Sequence, residues 1–301
     1  MRVALFALCV PVIVWLLAVA ARRHFDAVTE NAVQQMFAGS QSTLPPTIAA
    51  SELDELPAVV RRWLLRSGVV GQPRTQNVRL RQLASLRTSP NGPWMPVRAE
   101  QWFRVDEPGF IWDADVRMFG FLPLAGRDSY FAGTGQMRIE ALALVPIVNA
   151  SDEKIRQGTL LRYLAEMVWF PSAALSPHVR WEALGVNSAR ATLSDRGSSV
   201  SGVFEFDSAG RVYAFSARRY LGSGPQAKQE SWKVRMSAWS ELHGMTIPVQ
   251  GDVMWDLAAG PFDCYRWRIT EIEYNARPAR AAADASEQNP RFSQRPDART
   301  R

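Results

Sequence analysis

VRAEQWFRVDEPGFIWDADVRM, residues 97–118, carries the period that decides the fold. Val97, Ala99, Gln101, Phe103 and Val105 alternate with Arg98, Glu100, Trp102 and Arg104; then Phe110, Trp112, Ala114, Val116 and Met118 alternate with Asp113, Asp115 and Arg117. A period of two places one series on a buried face and the other on a wetter one, which is the mark of strands in an antiparallel sheet. Outward from this stretch, similar segments fall at 78–87, 128–133, 135–142, 179–184, 188–194, 199–207, 211–220, 230–241, 246–256 and 263–274. Turn signals separate many of them: Asn91-Gly92, Asp195-Arg196-Gly197, Asp207-Ser208-Ala209-Gly210, His243-Gly244 and Gly260-Pro261. Short connections make antiparallel neighbours. The expectation is an α+β, mostly antiparallel fold: a meander of about ten to twelve strands, large enough to curl into a half-barrel or open barrel.

Two helices accompany the sheet. Residues 53–67 place Leu53, Leu56, Val59, Val60, Trp63 and Leu64 at helical spacing, with Asp54 and Glu55 early, Arg66 late and Gly68 past the end. That pattern predicts an amphipathic helix lying on the core. A second helix, over 152–169, has Ser151 or Thr159 as its cap and Leu160, Leu161, Leu164, Met167 and Val168 as its stripe, and it stops at Phe170-Pro171. It is expected to cover the concave face of the sheet. Sheet and helix together could enclose an apolar cavity lined by some of the eleven tryptophans. The plainer alternative is that those rings simply fill a core.

The chain begins with nineteen apolar residues, 3 to 21, flanked by Arg2 and by Arg22-Arg23. As a helix rising about 1.5 Å per residue, the run matches the ~30 Å hydrocarbon layer of a bilayer. It is therefore read as a transmembrane anchor over 1–24, with a cleaved signal ending near Ala18-Val19-Ala20 as the competing reading. A helical or linker segment, 25–52, follows, then one β-rich domain, 53–275. The tail 276–301 carries six arginines against three acids and few large apolar residues, the composition of a disordered segment. Most of the net charge of +6 thus belongs to the ends, and the domain itself offers no phosphate-binding field. Nucleic acid is not an expected partner.

Two cysteines, Cys9 and Cys264, give no disulfide framework, and three separated histidines give no metal cluster. No phosphate-binding loop, dinucleotide fingerprint or fixed-period repeat occurs, so no cofactor is expected.

The blocks PAVVRRWL (57–64), GQP (71–73), AEQWF (99–103), GRDSYF (126–131), QGTLLRYLAEMVWFP (157–171) and TEIEYN (270–275) resemble an uncharacterised bacterial family of unknown function. The resemblance covers roughly 55–275 and implies domain limits rather than an activity. By architecture alone, a curved antiparallel sheet under helices is similar to the half-barrels of periplasmic lipoprotein carriers, an analogy of fold.

Polar residues inside the apolar blocks are the candidate ligand-binding residues. Arg127, Asp128 and Tyr130 share a short glycine-flanked strand, with Asp128 and Tyr130 on one face; Arg162 and Glu166 sit four apart on one helical face, followed by Trp169. Arg127 or Arg162 would receive an anionic headgroup through its planar donor fork, while Trp169 and Tyr130 touch an apolar chain. The expectation is a membrane-anchored, non-enzymatic domain that binds a hydrophobic or lipid-like ligand outside the bacterial inner membrane. The alternatives are an assembly partner, or an enzyme using Asp128, Glu166 and Tyr130 for acid-base work.

Overall fold

The computed structural model describes residues 2–38 and 45–276, with side chains from Val12 onward. The expected disordered tail therefore lies, save for Ala276, outside the described residues. Among the described residues thirteen strands form one sheet: β1 (Asn77–Leu86), β2 (Met95–Arg104), β3 (Gly109–Met118), β4 (Leu122–Phe131), β5 (Thr134–Ala141), β6 (Val145–Ala150), β7 (Val179–Gly185), β8 (Ser188–Asp195), β9 (Ser198–Phe206), β10 (Val212–Leu221), β11 (Lys228–Leu242), β12 (Met245–Leu257) and β13 (Gly260–Tyr274).

Their order is β6-β5-β4-β3-β2-β1-β13-β12-β11-β10-β9-β8-β7. Two meanders thus meet at the centre, where the first strand pairs with the last, antiparallel, from Val78 opposite Tyr274 to Leu86 opposite Tyr265. The sheet exceeds the ten to twelve strands expected by one, because β6 (VPIVNA) is a short edge strand containing Pro146. A proline cannot donate to a ladder and is tolerated at an edge, so it argues against a strand when read from sequence.

β6 and β7 follow one another in the chain yet occupy opposite edges of the sheet. The connection between them, helix α3 (Glu153–Glu166) and two short 3-10 turns, must cross from edge to edge. The sheet therefore curls around α3, which packs on β4 and β5 on one side and on β8, β9 and β10 on the other. Tyr130 of β4 closes the wrap by donating to Asp195 of β8 at 2.6 Å, both groups buried.

The helix expected from residue 53 begins at Ala58. α2 (Ala58–Ser67) follows a 3-10 turn at Ala50–Leu53, and Pro57 takes its N-cap position. Its Trp63 sits within about 6 Å of the rings of Trp181, Phe204 and Phe206, filling one end of the half-barrel. Gly68, at φ +75°, ends α2 in the left-handed conformation and lets the Gly244 carbonyl approach to 2.8 Å of where a Cβ would stand.

α1 (Arg2–Phe37) is continuous past the apolar run and lies on the outer face of β2, β3 and β4. Arg22 bonds Asp115, Thr29 accepts from Arg127 at 3.2 Å, and the Met36 carbonyl accepts from Arg104 at 3.0 Å. Among the described residues no helix is long and apolar enough to cross a membrane. Within the run 3–21, side chains are described only from Val12 on.

Candidate functional site

Beneath the C-terminal half of α3 the inward faces of the two meanders do not meet. They leave a cavity of about 310 Å³. Its walls are largely apolar: Leu86, Met95, Trp112, Val116 and Leu124 come from one meander, and Trp232, Val253, Trp255 and Trp267 from the other. Strand parity explains the lining, because Trp112, Ala114 and Val116 share the inward phase of β3 while Asp113 and Asp115 point outward to α1. The tryptophans thus belong to both readings made from sequence, since some pack the core and others line an open space.

One polar chain runs along this apolar wall. Arg162 of α3 donates to Asp128 at 2.8 Å and to Glu166 at 2.8 Å. Glu166 also accepts from Gln101 at 2.8 Å, Gln101 accepts from Gln82 at 3.3 Å, and Gln82 accepts from the Tyr265 hydroxyl at 3.1 Å. The Arg162 guanidinium stacks 5.2 Å from the centre of Phe110 and 4.9 Å from that of Trp112. Arg162 and Glu166 keep 15% and 14% of their side-chain surface accessible, and both line the cavity, so that surface faces it.

The electrostatics follow from burial. Burial opposes the charge of Arg162, but Glu166 and Asp128 more than offset it and hold the guanidinium protonated beyond its ordinary value. Burial raises the Glu166 carboxyl above the usual carboxylate range in spite of Arg162. It raises the Tyr265 phenol too.

A second cation, Arg219 of β10, lines the same cavity and also borders a smaller cleft beside α3. It donates to the Gly158 carbonyl at 3.2 Å and lies 4.8 Å from the centre of Trp232 and 5.8 Å from that of Trp255. It makes no ion pair among the described residues, and burial pushes its pKa down. Arg162 is thus neutralised by two carboxylates, whereas Arg219 is held by one carbonyl and two indole faces.

Of the residues singled out from sequence, Asp128, Arg162, Glu166 and Trp169 come together at the cavity. Arg127 does not turn its guanidinium there. The odd phase of β4 faces outward, so the group donates to Thr29 of α1 and lies 5.1 Å from the centre of the Phe25 ring. Tyr130 does face inward, but it is fully buried at the Asp195 closure and is not part of the cavity wall. Asp128, Glu166 and Tyr130 therefore do not form one acid-base group. Sequence reading missed Gln82, Gln101, Tyr265 and Arg219. Gln101 stood in the inward phase of its strand, between Ala99 and Phe103, and a glutamine in phase with the core is itself the signal of a buried polar site.

Residues 46–267 match a family of unknown function, DUF6544, and the chain belongs to it. No curated protein matches the chain. Among solved structures it is similar to a LolA superfamily protein from Nitrosomonas europaea, at 9% identity and a TM-score of 0.41, over 74% of this chain and 97% of that one. It is also similar to a putative outer membrane lipoprotein-sorting protein domain from Vibrio parahaemolyticus, at 8% identity and a TM-score of 0.37, over 66% and 86%. A DUF1329 family protein from Desulfovibrio piger aligns at 9% identity and a TM-score of 0.38, over 77% and 95%. Likeness of this degree leaves function to be argued from the cavity itself.

Proposed function

We propose that this member of a family of unknown function binds an amphiphile, with its apolar chain in the cavity beneath α3 and an anionic head at Arg219. The observation that carries the reading is an apolar cavity of about 310 Å³ whose wall contains a cation with no carboxylate partner among the described residues. Apolar walls with a few placed polar groups are the usual make-up of small-molecule sites, and about 300 Å³ is the lower end of their size range. An arginine half-buried in an apolar wall, with no carboxylate of the described residues within ion-pair distance, is costly to desolvate, and an incoming anion offsets part of that cost. Arg162 is less suited to the head because Asp128 and Glu166 already occupy its donors. The network around it instead fixes α3 over the cavity and shapes the wall.

The apolar run 3–21 supports the further reading that the chain is anchored in the bacterial inner membrane, with the β-domain outside the cytoplasm. Holding a lipid-like molecule and being held at a membrane suit one another.

Calorimetric titration of the delipidated full chain with decanoate and with decanol tests the assignment of the head. Hydrogen bonds to charged groups contribute about 1.5–3 kcal/mol, so decanoate is expected to bind roughly tenfold or more tightly than decanol. Arg219→Met should erase that preference while leaving decanol binding in place. Equal affinities in the parent chain would refute the anionic head.

A further inference from the structure

The half-barrel is closed at one end and open at the other. α2 and the rings around Trp63 fill the first. At the other end the cavity wall runs out to Leu86 and the exposed Thr88, beside the turns that follow β1, β3, β5 and β12.

That open end is apolar in an unusual way. Phe119 and Phe121, in the turn between β3 and β4, are 68% and 74% exposed. Val145 and Ile147, just after the turn between β5 and β6, are 58% and 53% exposed. Phe119 moreover has φ +53°, a left-handed conformation that favours glycine, asparagine or aspartate. A bulky ring placed there is strained and gains no burial in return. Strain of this kind concentrates at functional positions.

α1 leads to the same place. From Arg22, at Asp115, to Met36, at Arg104 and its partner Gly109, the helix rises about 21 Å. The strand covers about 20 Å between the same levels. Helix and strands are therefore nearly parallel, and the N-terminal direction of α1 points past the turn at 119–121. Leu17 stands about 8 Å beyond Arg22, close to the level of Met118 where β3 ends. From there outward Val12, Ile13, Val14, Trp15, Leu16 and Leu17 are each between 45% and 64% exposed, so the helix is apolar on every side. A helix apolar all round is a surface for lipid rather than for water. Arg23 and Arg117 are exposed nearby and form no ion pair among the described residues, which suits anionic headgroups.

We propose that the open end of the half-barrel rests on a lipid bilayer, with Phe119 and Phe121 entering the interface beside the emerging α1 and the cavity mouth turned toward the lipid. The surface stands on exposure and strand direction, so it holds or fails independently of what the cavity contains.

The test places an environment-sensitive dye on the full chain in phosphatidylethanolamine-phosphatidylglycerol vesicles, at Phe119→Cys and, separately, at Val186→Cys. Val186 is the control because it is 88% exposed and lies in the turn between β7 and β8, at the α2 end. Cys9 is replaced by serine. Burial pushes the Cys264 thiol up to about 11, so it labels little at neutral pH. Dye at 119 is expected to be quenched several-fold more by lipid-borne quenchers than dye at 186, and less by aqueous iodide. Equal quenching at the two positions would overturn the proposal. So would dye at 119 that is shielded from iodide but untouched by lipid quenchers, which would point to a protein covering the site. Phe119→Asn, which relieves the backbone strain while removing the ring, should leave the folded content unchanged and lower the lipid quenching of dye placed at Phe121→Cys.

Discussion

Glu166, at the end of α3, shares one guanidinium with Asp128, and burial holds its carboxyl above the usual carboxylate range. The sign of the linkage follows. In the unfolded chain Glu166 titrates near 4.5, and in the folded chain above it, so its contribution to stability is full below pH 4.5 and is lost as pH rises through the folded value. Urea unfolding of the parent chain and Glu166→Gln, compared across pH, should show the parent's relative stability greatest below pH 4.5 and declining above it. A parent chain that gains on the variant as pH rises would reverse the sign. The spacing of Arg162 and Glu166 gave their pairing in advance, because residues four apart meet on a helix. Their setting was not legible, since facing a cavity depends on how far a distant sheet curls. Arg219 was illegible altogether: in the run Ala217-Arg218-Arg219-Tyr220 only register decides which arginine turns inward.

α3 is seated by contact as much as by its own sequence. Asp152 caps it by accepting from the Ile155 amide at 2.9 Å, and also accepts from the Gly224 amide at 2.6 Å, tying the helix start to the turn between β10 and β11. On the other side Gly135 of β5 lies so close that an added Cβ would stand 2.4 Å from Thr159 Oγ1 and 2.6 Å from Arg156 Cα. Backbone cannot yield as a side-chain tip can. Gly135→Ala should therefore lift α3 from β5 and cost about 1–3 kcal/mol in urea unfolding. A change within error would mean that the helix is not seated as described. The stripe of this helix was plain from Leu160 to Leu164. The α-helix ends at Glu166, however, with Met167–Trp169 as a 3-10 turn, short of the expected stop at Phe170-Pro171, and its cap is Asp152 instead of Ser151 or Thr159. Most strands were plain from alternation. Those that were missed or shortened carry backbone breakers: Pro146 in β6, and Pro123 and Gly126 in the first half of β4. In β4, pairing with β3 on one side and β5 on the other overrides such local signals, whereas β6 tolerates Pro146 because it is an edge strand.

At the scale of the whole molecule, the pairing of β1 with β13 and the separation of β6 from β7 create the concavity, and neither follows from a meander read in chain order. Sequence period supplied the strands and the interrupting helix, but the meeting of first and last strands is a long-range closure that no local pattern encodes. The same closure places five tryptophans around an open space instead of a filled core. If that space exists to hold an amphiphile, then filling it should expel the cargo without undoing the sheet. Val116 lines the cavity from the centre of β3 and points inward, so Val116→Trp occupies the space directly. The decisive measurement is mass spectrometry of organic extracts from the purified full chain and from Val116→Trp, both with unchanged circular dichroism. An anionic amphiphile near one per chain in the parent and absent from the variant is the expected result. Extracts from both proteins that match a blank purification would contradict the cavity's assigned role.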